Sequence, residues 1–425
     1  MIIIQAVNRL HEPYLRRILE PVVEVALGQF PVVVVTGARQ TGKSTLVRNL
    51  PSAASRSYAT LDDMEILARA QRSPDGLVDQ TTNVTLDEVQ RAPNILLAIK
   101  RAVDRNRRKG RFLLTGSANL LLMRRVSESL AGRAIYLTLL PMSVRETRGV
   151  PDALPWRMIV NAKSVNEIVA ALTGAPKREV DWAESAVIGG YPTVVLAESQ
   201  NERTRWFEGY VRTYLERDLQ DVASISALID FRRVMGLSAL RLGQIINQSE
   251  LARDAALSQA TVHRYLNLLE ASYQIVRVPA YTRSRSKRLI KAPKLYWIDT
   301  GLAAFLLGAA TAGELRSHNL AGAMLENLVY TQLLIWRETQ TPRPEVYYWR
   351  TASGAEVDFV VQSRNGLLPI EVKMTSRAQM GDIRSLEAFL DEYPKDARFG
   401  VLLYGGDAVI ALTPRIVAVP VRAIL

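Results

Sequence analysis

Hydrophobic residues in the first 140 positions fall into short β-branched runs, separated by stretches with helical periodicity. Four runs are strand candidates: Val32 to Thr36, Thr82 to Leu86, Phe112 to Thr115 and Ala134 to Leu140. The first run is apolar at four consecutive positions, as expected for a strand that is covered on both faces of its sheet. Strands that alternate with helices predict a parallel α/β sheet in this part of the chain.

The pattern changes after residue 150, where it becomes mostly helical to about residue 240. Ser249 to Tyr273 then predicts a helix–turn–helix with its turn at Leu257-Ser258, and Tyr273 to Val278 predicts a strand. A basic stretch, Tyr281 to Lys294, precedes a return to mixed α/β patterning. We therefore expect four domains, at 1–150, 151–240 (a mostly helical connector), 241–290 (a winged helix-turn-helix) and 291–425.

Composition narrows the class of protein. Of the 425 residues, 48% are hydrophobic and 23% are charged, which is typical of a folded soluble chain. The longest apolar runs are too short to span a membrane, and Met1 to Ile4 lacks the basic flank of a signal peptide. The absence of cysteine excludes disulfides, thiolate metal sites and cysteine nucleophiles. We expect a cytoplasmic protein with no membrane partner.

The net charge of +12 favours a polyanionic partner, with DNA ahead of an anionic membrane. The alternative is that the surplus charge serves solubility alone.

A phosphate-binding motif follows the first predicted strand. Residues 37 to 44 fit the pattern GxxxxGK[ST], in which glycines let backbone N–H groups wrap phosphates at a helix N-terminus. Lys43 is expected to reach the β- and γ-phosphates, and the Ser44 hydroxyl to ligate Mg²⁺. The predicted ATP-binding residues are Gly37, Ala38, Arg39, Gln40, Thr41, Gly42, Lys43, Ser44 and Thr45.

Two carboxylates end the second predicted strand. Asp87 is expected near the Mg²⁺ ion, and Glu88 is placed where it polarises the attacking water. The next strand runs into Ser117 at the carboxyl edge of the sheet, where ligands bind in open α/β folds. Ser117 is interpreted either as a contact to the γ-phosphate or as part of a plain turn.

Four segments together resemble a prokaryotic family of AAA+-type ATPases: Gly37 to Leu46, Leu86 to Gln90, Leu114 to Ser117 and Ser129 to Arg133. The resemblance extends from about residue 8 to the C-terminus and departs at Ala38, where many members have proline. It implies a homo-oligomer, with a hexameric ring as one arrangement. In such rings an arginine reaches the neighbouring subunit's ATP; Arg133 matches this role best, Arg91 is a weaker alternative, and a plain surface charge is the competing interpretation of Arg133.

The predicted helix–turn–helix and the basic stretch after it have side chains suited to DNA. Outward positions of the second helix carry residue types that contact base edges or phosphates, and the stretch would form a basic wing. The predicted DNA contacts are Arg264, Arg283, Arg285, Lys287, Arg288 and Lys291, with Lys294 at the end of the wing. A winged helix used only for subunit packing is the alternative.

Carboxylates recur near the C-terminus. Glu326 lies in an apolar helix, while Asp358 and Glu371 lie on strand-like runs that can converge on Mg²⁺ or Mn²⁺. Period-2 alternation places Lys373 on the same face as Glu371. The set is similar to a PD-(D/E)xK core, a restriction-endonuclease-like α/β domain, in which Glu326, Asp358 and Glu371 would be metal ligands and Lys373 would lie beside the attacking water.

The sequence thus predicts an ATP-hydrolysing DNA-processing enzyme, a motor or switch coupled to a Mg²⁺-dependent nuclease, with branched DNA such as a Holliday junction as one substrate. The alternative is an ATP-dependent regulatory switch whose winged helix and inactive nuclease-like domain bind DNA or protein without cutting.

Overall fold

The computed structural model describes residues 14–79, 82–117, 130–173, 179–215, 228–284, 286, 288 and 291–425. The chain forms two compact units. One consists of Met1–Met142, Glu146–Pro151 and Ala271–Tyr273, and the other of Ser143–Arg145, Asp152–Glu270 and Gln274–Leu425. A short helix, Val144–Thr147, falls at a boundary between them in the sequence.

The first unit contains a five-stranded parallel sheet, which confirms the predicted α/β class. Its strands are β1 (Val32–Thr36), β2 (Ser57–Thr60), β3 (Val84–Asp87), β4 (Phe112–Thr115) and β5 (Ala134–Thr138). They are ordered β2-β3-β4-β1-β5, so β1 lies between β4 and β5. The carboxyl end of β1 is thereby placed next to that of β4, with β3 one strand further.

Helices cover both faces of this sheet. They are Glu20–Leu27, Lys43–Asn49, Met64–Arg72, Pro74–Asp79 and Ile95–Arg105, with 3-10 turns at Pro51–Ser55 and Val89–Arg91. Val32 and Val34 pack into one core with Ile99, while Val33 and Val35 pack into the other with Leu46. Alternate residues of β1 are therefore buried on opposite faces, which explains its unbroken apolar sequence.

The second unit begins with helices, as predicted for the connector. These are Leu154–Asn161, Val165–Leu172, Trp182–Ile188, Pro192–Val195, Gln200–Gly209 and Leu228–Ala239, with a π-helical turn at Tyr210–Leu215. Ser164, Asp181 and Ser199 cap three of them by accepting backbone N–H bonds.

The predicted helix–turn–helix region contains two helices, Gln248–Ala255 and Gln259–Ala271. The first helix is capped by Asn247, whose carboxamide oxygen accepts from the Ser249 and Glu250 N–H groups. Strand β6 (Ile275–Val278) then pairs antiparallel with β7 (Lys294–Trp297). Lys294 is therefore a strand residue.

The C-terminal part of the second unit contains a six-stranded mixed sheet. Its strands are β8 (Glu345–Arg350), β9 (Glu356–Ser363), β10 (Gly366–Lys373), β11 (Gly400–Tyr404), β12 (Ile410–Thr413) and β13 (Ile416–Pro420). The order is β12-β13-β11-β10-β9-β8, with β10, β11 and β13 parallel. Helices Thr300–Leu306, Ala312–Ser317, Ala321–Glu338 and Arg384–Glu392 and 3-10 turns Met380–Ile383 and Val421–Ala423 complete the chain.

Phe389 and Leu390 of helix Arg384–Glu392 pack with Val357 and Leu402 on one side of this sheet. None of the helices in the described ranges is long and apolar enough to cross a membrane.

Candidate functional site

The loop after β1 has the backbone conformation that phosphate binding requires. Gly37 has a φ of +144°, and a Cβ there would lie 2.2 Å from the Leu139 carbonyl oxygen, so a larger residue does not fit. Gln40 and Gly42 also have positive φ angles, of 64° and 88°. Helix Lys43–Asn49 starts directly after the loop, which leaves its first N–H groups facing the concave side.

Lys43 is buried within this loop. Its ammonium group donates to the carbonyl oxygens of Gly37 and Ala38, at 3.1 and 2.7 Å. Burial lowers the pKa of Lys43 to about 8, although Glu88 and Asp87 oppose the shift. A phosphate would supply the anionic partner that carbonyl oxygens do not.

Asp87 ends β3 beside Ser44. The Ser44 hydroxyl donates to Asp87 Oδ1 at 3.0 Å, so the two predicted Mg²⁺ ligands are adjacent. Tyr58 donates to Asp87 Oδ2 at 2.6 Å, and the Thr115 hydroxyl also donates to Asp87. Oxygen ligands of this kind fit Mg²⁺. The described residues contain no group of three or more His, Asp or Glu placed to hold a metal, so phosphate and water oxygens would have to complete the shell.

Glu88 has a left-handed backbone, with a φ of 58°. Its N–H donates to the Thr115 hydroxyl at 3.2 Å, and its carboxylate accepts from the Gln90 side chain. A non-glycine residue in this conformation is costly, and the surrounding bonds hold it there. The Glu88 carboxylate thus follows directly after the end of β3, bonded to Gln90.

Ser117 is buried after β4, and its hydroxyl has no hydrogen-bond partner within the ranges that the structure describes. An unsatisfied buried hydroxyl at the ligand-binding edge of a parallel sheet fits a group that meets a ligand oxygen. This favours the γ-phosphate interpretation of Ser117 over a plain turn.

The remaining loop residues differ in burial. The Thr41 hydroxyl donates to the Ala38 carbonyl at 2.9 Å and helps to fix the loop, Arg39 is half-buried, and Gln40 and Thr45 are exposed.

Arg17 supports the same loop and was not predicted from the sequence. Its guanidinium donates to the carbonyls of Thr41 (2.8 Å) and Leu140 (2.6 Å) and pairs with Glu146 at 3.0 Å. Both charged groups of that pair are buried. Arg17 precedes β1 without any motif around it, so no local signal in the sequence indicates this role. Tyr58, on a short polar strand, was missed for the same reason.

Both arginines considered as contacts to a neighbouring subunit's ATP form ion pairs within the chain. Arg133 makes two bonds to Asp104, at 2.6 and 2.9 Å, and its side chain is 25% exposed. The pair lowers the pKa of Asp104. Arg91 pairs with Asp62. Arg133 would have to leave Asp104 before it could act on another subunit.

On the second helix of the helix–turn–helix region, Arg264 lies over the Tyr265 ring. Its exposed neighbour His263 bonds to Gln248 and Asn267, at 3.1 and 3.0 Å, and Arg277 donates to Asn267. The outward face is thus a connected polar network.

The described residues of the predicted basic wing lie in different environments. Lys291 is exposed, and Arg283 is exposed while donating to the Glu392 carbonyl at 2.9 Å. Arg288 instead donates to Tyr347 (3.0 Å) and Gln362 (3.1 Å) and lies over the Tyr281 ring. Arg285 and Lys287 lie outside the described residues.

The expectation that Lys294 extends this wing was wrong. Only 3% of its side chain is exposed. Its ammonium group lies 2.5 Å from Glu356, 3.1 Å from Glu326 and 3.3 Å from Asp358. Burial alone would lower the pKa of Lys294, but these carboxylates outweigh burial and hold the pKa above its usual value.

The structure also brings together the four predicted residues of the C-terminal site. Burial and the Asp358 charge raise the pKa of Glu326 to about 7, against the opposing effect of Lys294. The same causes raise the pKa of Glu371 to about 8, opposed by Lys373, whose ammonium lies 2.5 Å from Glu371 Oε1. Asp358 Oδ2 accepts from the Val372 N–H at 2.9 Å.

A divalent metal does not fit this cluster as it is arranged. Lys294 lies between Glu326 and Asp358, and the second oxygen of Asp358 is bonded to the backbone. Among the described residues, Glu371 Oε2 is the one buried carboxylate oxygen of the predicted ligand set without a hydrogen-bond partner.

Comparison with known proteins decides the family. An uncharacterized protein of Mycobacterium tuberculosis, Rv2008c, is 30% identical over 400 residues, which make up 94% of this chain and 82% of the relative. Mb2031c of Mycobacterium bovis gives the same values. The chain belongs to the family of these mycobacterial proteins.

Three family models match separate parts of this family member: an AAA domain at residues 29–148, a domain of unknown function (DUF8612) at 179–312 and a second one (DUF4143) at 321–424. The AAA match covers the loop after β1, Asp87, Glu88 and Ser117, while Arg17 precedes the matched residues. The first unit is therefore a P-loop ATPase domain of the AAA type that binds ATP.

Among solved structures, the Walker-type ATPase paby2304 of Pyrococcus abyssi is similar at 15% identity with a TM-score of 0.43, over 70% of this chain and 99% of that one. A score this low carries no argument about function.

Proposed function

We propose that the chain is an ATP-hydrolysing switch that controls contact with DNA. The observation that carries the proposal is the adjacency of Lys43, Ser44 and Asp87 around the loop after β1. These residues supply a cation for the phosphates and oxygen ligands for Mg²⁺, the parts that phosphoryl transfer requires.

The proposed residue roles follow from this geometry. Ser44 and Asp87 would hold Mg²⁺, which, when bound, supplies positive charge to the phosphate oxygens. Lys43 would exchange its two carbonyl partners for phosphate oxygens. Glu88 would accept the proton of the attacking water, and Ser117 would donate to a γ-phosphate oxygen.

DNA is the proposed partner because of the net charge of +12 and the exposed cations in the second unit. Of the predicted DNA contacts, Arg264, Arg283 and Lys291 are the described ones that are exposed to solvent. The Arg288 guanidinium instead donates to Tyr347, and Lys294 is buried. The proposed form of this region is still a winged helix whose wing is less basic than its sequence suggests.

A Mg²⁺-dependent nuclease of the PD-(D/E)xK type is the second candidate. The unpartnered Oε2 of Glu371, next to Lys373, is the observation in its favour. Lys294 weighs against it, since its ammonium is already paired with two of the predicted metal ligands, Glu326 and Asp358.

The salt dependence of DNA binding tests the proposed partner. Neutralising Arg264 and Lys291 together (R264Q with K291Q) should reduce the slope of log affinity against log salt by about 2, since each phosphate contact contributes about 0.9. The matched control neutralises two exposed cations elsewhere in the unit, Lys163 and Arg205 (K163Q with R205Q), and should keep the wild-type slope. Equal slopes in all three proteins would exclude this path for DNA.

Incubating branched and linear DNA with Mg²⁺ or Mn²⁺ separates the two candidates. The switch leaves every substrate intact, whereas cleavage that Asp358→Asn abolishes would establish the nuclease.

A further inference from the structure

Lys294 occupies an unusual position for a lysine. It is the first residue of β7, and its ammonium group is enclosed by carboxylates from two other elements. Glu326 comes from helix Ala321–Glu338, while Glu356 and Asp358 come from β9. Two of these three carboxylates belong to the predicted metal-binding set.

Burial of an ammonium group is unfavourable unless anions surround it, and burial of several carboxylates is unfavourable unless a cation lies among them. Lys294 and its partners meet both requirements at once. Tyr296 adds a hydrogen bond to Glu326, and the Tyr348 ring lies 5.9 Å from the Lys294 ammonium. The cluster therefore already contains a cation, which the chain itself provides.

A divalent ion in the same place would meet the positive charge of Lys294 at short range, in a buried position where repulsion between like charges is strong. It would also find Asp358 Oδ2 already bonded to the Val372 N–H. Among the described residues, Glu371 Oε2 is the one fully buried oxygen of the predicted ligands without a hydrogen-bond partner.

We propose that Lys294 is the resident cation of this carboxylate cluster, and that the cluster binds no divalent metal while Lys294 stays in place. Lys294 thereby blocks a latent metal site, which its removal would open. A blocked metal site favours the proposed switch over the nuclease, and the inference holds whether or not ATP is bound.

The test is binding of Mn²⁺ by electron paramagnetic resonance, with the full chain and without nucleotide. Each protein is compared with its own Asp358→Asn derivative, so that Mn²⁺ bound elsewhere, including at Ser44 and Asp87, is subtracted. Lys294→Met removes the charge and keeps the length of the side chain. Lys291→Met is the matched control, an exposed lysine three positions earlier.

We expect no Asp358-dependent Mn²⁺ in the wild type or in Lys291→Met, and one such ion per chain in Lys294→Met. Lys294→Met should also unfold at a lower temperature than the wild type, because its carboxylates lose their cation, and Mn²⁺ should restore much of that loss. The wild-type melting temperature should respond to Mn²⁺ no more than that of Asp358→Asn.

Asp358-dependent Mn²⁺ in the wild type would overturn the proposal, and so would a folded Lys294→Met protein that gains no Mn²⁺. If Lys294→Met does not fold, the Mn²⁺ titration of the wild type still tests the proposal. Asp358-dependent Mn²⁺ contradicts it, and the absence of such Mn²⁺ supports it. ATP hydrolysis, measured separately on the same wild-type preparation, shows whether the proposed switch stands or fails independently.

Discussion

Ser117 is one of the buried polar residues whose side chain lacks a hydrogen-bond partner among the described residues. Its hydroxyl is buried and has no partner within the described ranges. Ser117→Ala should leave the unfolding temperature unchanged or slightly higher, because it removes an unsatisfied polar group. The same change should lower the kcat of ATP hydrolysis by about 10- to 100-fold if the hydroxyl binds the γ-phosphate in the transition state.

Calorimetry and steady-state ATPase assays on one preparation give both values. A Ser117→Ala protein with the kcat of the wild type would show that Ser117 is part of a plain turn and does not contact the γ-phosphate. A large fall in melting temperature would instead mean that the hydroxyl has a structural partner.

Residues near one another in the sequence were predicted well, because a motif is a local pattern. The sequence predicted the loop from Gly37 to Ser44, and the structure gives that loop the strained backbone the motif needs. Arg17, Tyr58 and Lys294 are different. Each acts on residues more than 20 positions away, so its role depends on the fold and leaves no spacing to detect.

At the scale of elements, helix Thr300–Leu306 depends on a buried acid. Asp299 caps it by accepting from the Leu302 N–H at 2.8 Å, and its other oxygen accepts from the Gly190 N–H at 2.7 Å. A Cβ on Gly189 would lie 2.6 Å from Asp299 Oδ1. Position 189 must therefore be glycine for this segment to lie so close to the Asp299 carboxylate. Burial raises the pKa of Asp299 to about 6, despite these hydrogen bonds.

This pKa predicts how stability changes with pH. The folded protein binds the Asp299 proton more tightly than the unfolded chain, in which an aspartate has its usual pKa of 3.8. The contribution of Asp299 to stability is therefore greatest below pH 4 and is lost as the pH rises through 6. The loss should approach about 3 kcal/mol, at about 1.4 kcal/mol per pKa unit.

Urea unfolding between pH 4 and 7 measures this contribution as the difference between the wild type and Asp299→Asn. The asparagine variant should be less stable at low pH, because its amide faces the Gly190 N–H, but it should lack this pH-dependent loss. Parallel pH profiles for the two proteins would show that Asp299 does not titrate in this range.

Other elements show where sequence patterns fail. Strand β2 was missed because Ser57 to Thr60 is short and polar. It lies at the edge of the sheet, beside β3, where a strand is less buried and its sequence can be less apolar. The interior strands β1 and β4 were predicted to the residue from their apolar runs. The interior strand β3 was predicted at Thr82 to Leu86 but spans Val84–Asp87, because its polar residues Thr85 and Asp87 blur its ends. In the C-terminal sheet the predicted alternation in β10 holds, with Glu371 and Lys373 in contact.

At the scale of the whole molecule, we propose assembly into a ring that shares ATP sites. If Arg133 serves a neighbouring subunit, Arg133→Ala and Lys43→Ala should each be inactive alone. An equal mixture should recover about a quarter of the wild-type rate, because random neighbours restore one site in four. The control is Asp104→Ala, which releases Arg133 and should keep or raise the rate.

A mixture as inactive as its components would contradict the shared site. Equal loss of activity in Asp104→Ala and Arg133→Ala would assign Arg133 to its ion pair within one chain.

The central claim is that Glu88, held in a left-handed turn after β3, activates water for ATP hydrolysis at this site. The most direct test is the kcat of Glu88→Gln with Mg²⁺, measured beside its affinity for ATP and beside Lys43→Ala. Lys43→Ala should lose tight ATP binding. Glu88→Gln should bind ATP as the wild type does while its kcat falls by about 100-fold or more, since only the proton acceptor is lost. A Glu88→Gln protein that hydrolyses ATP as fast as the wild type would contradict the account.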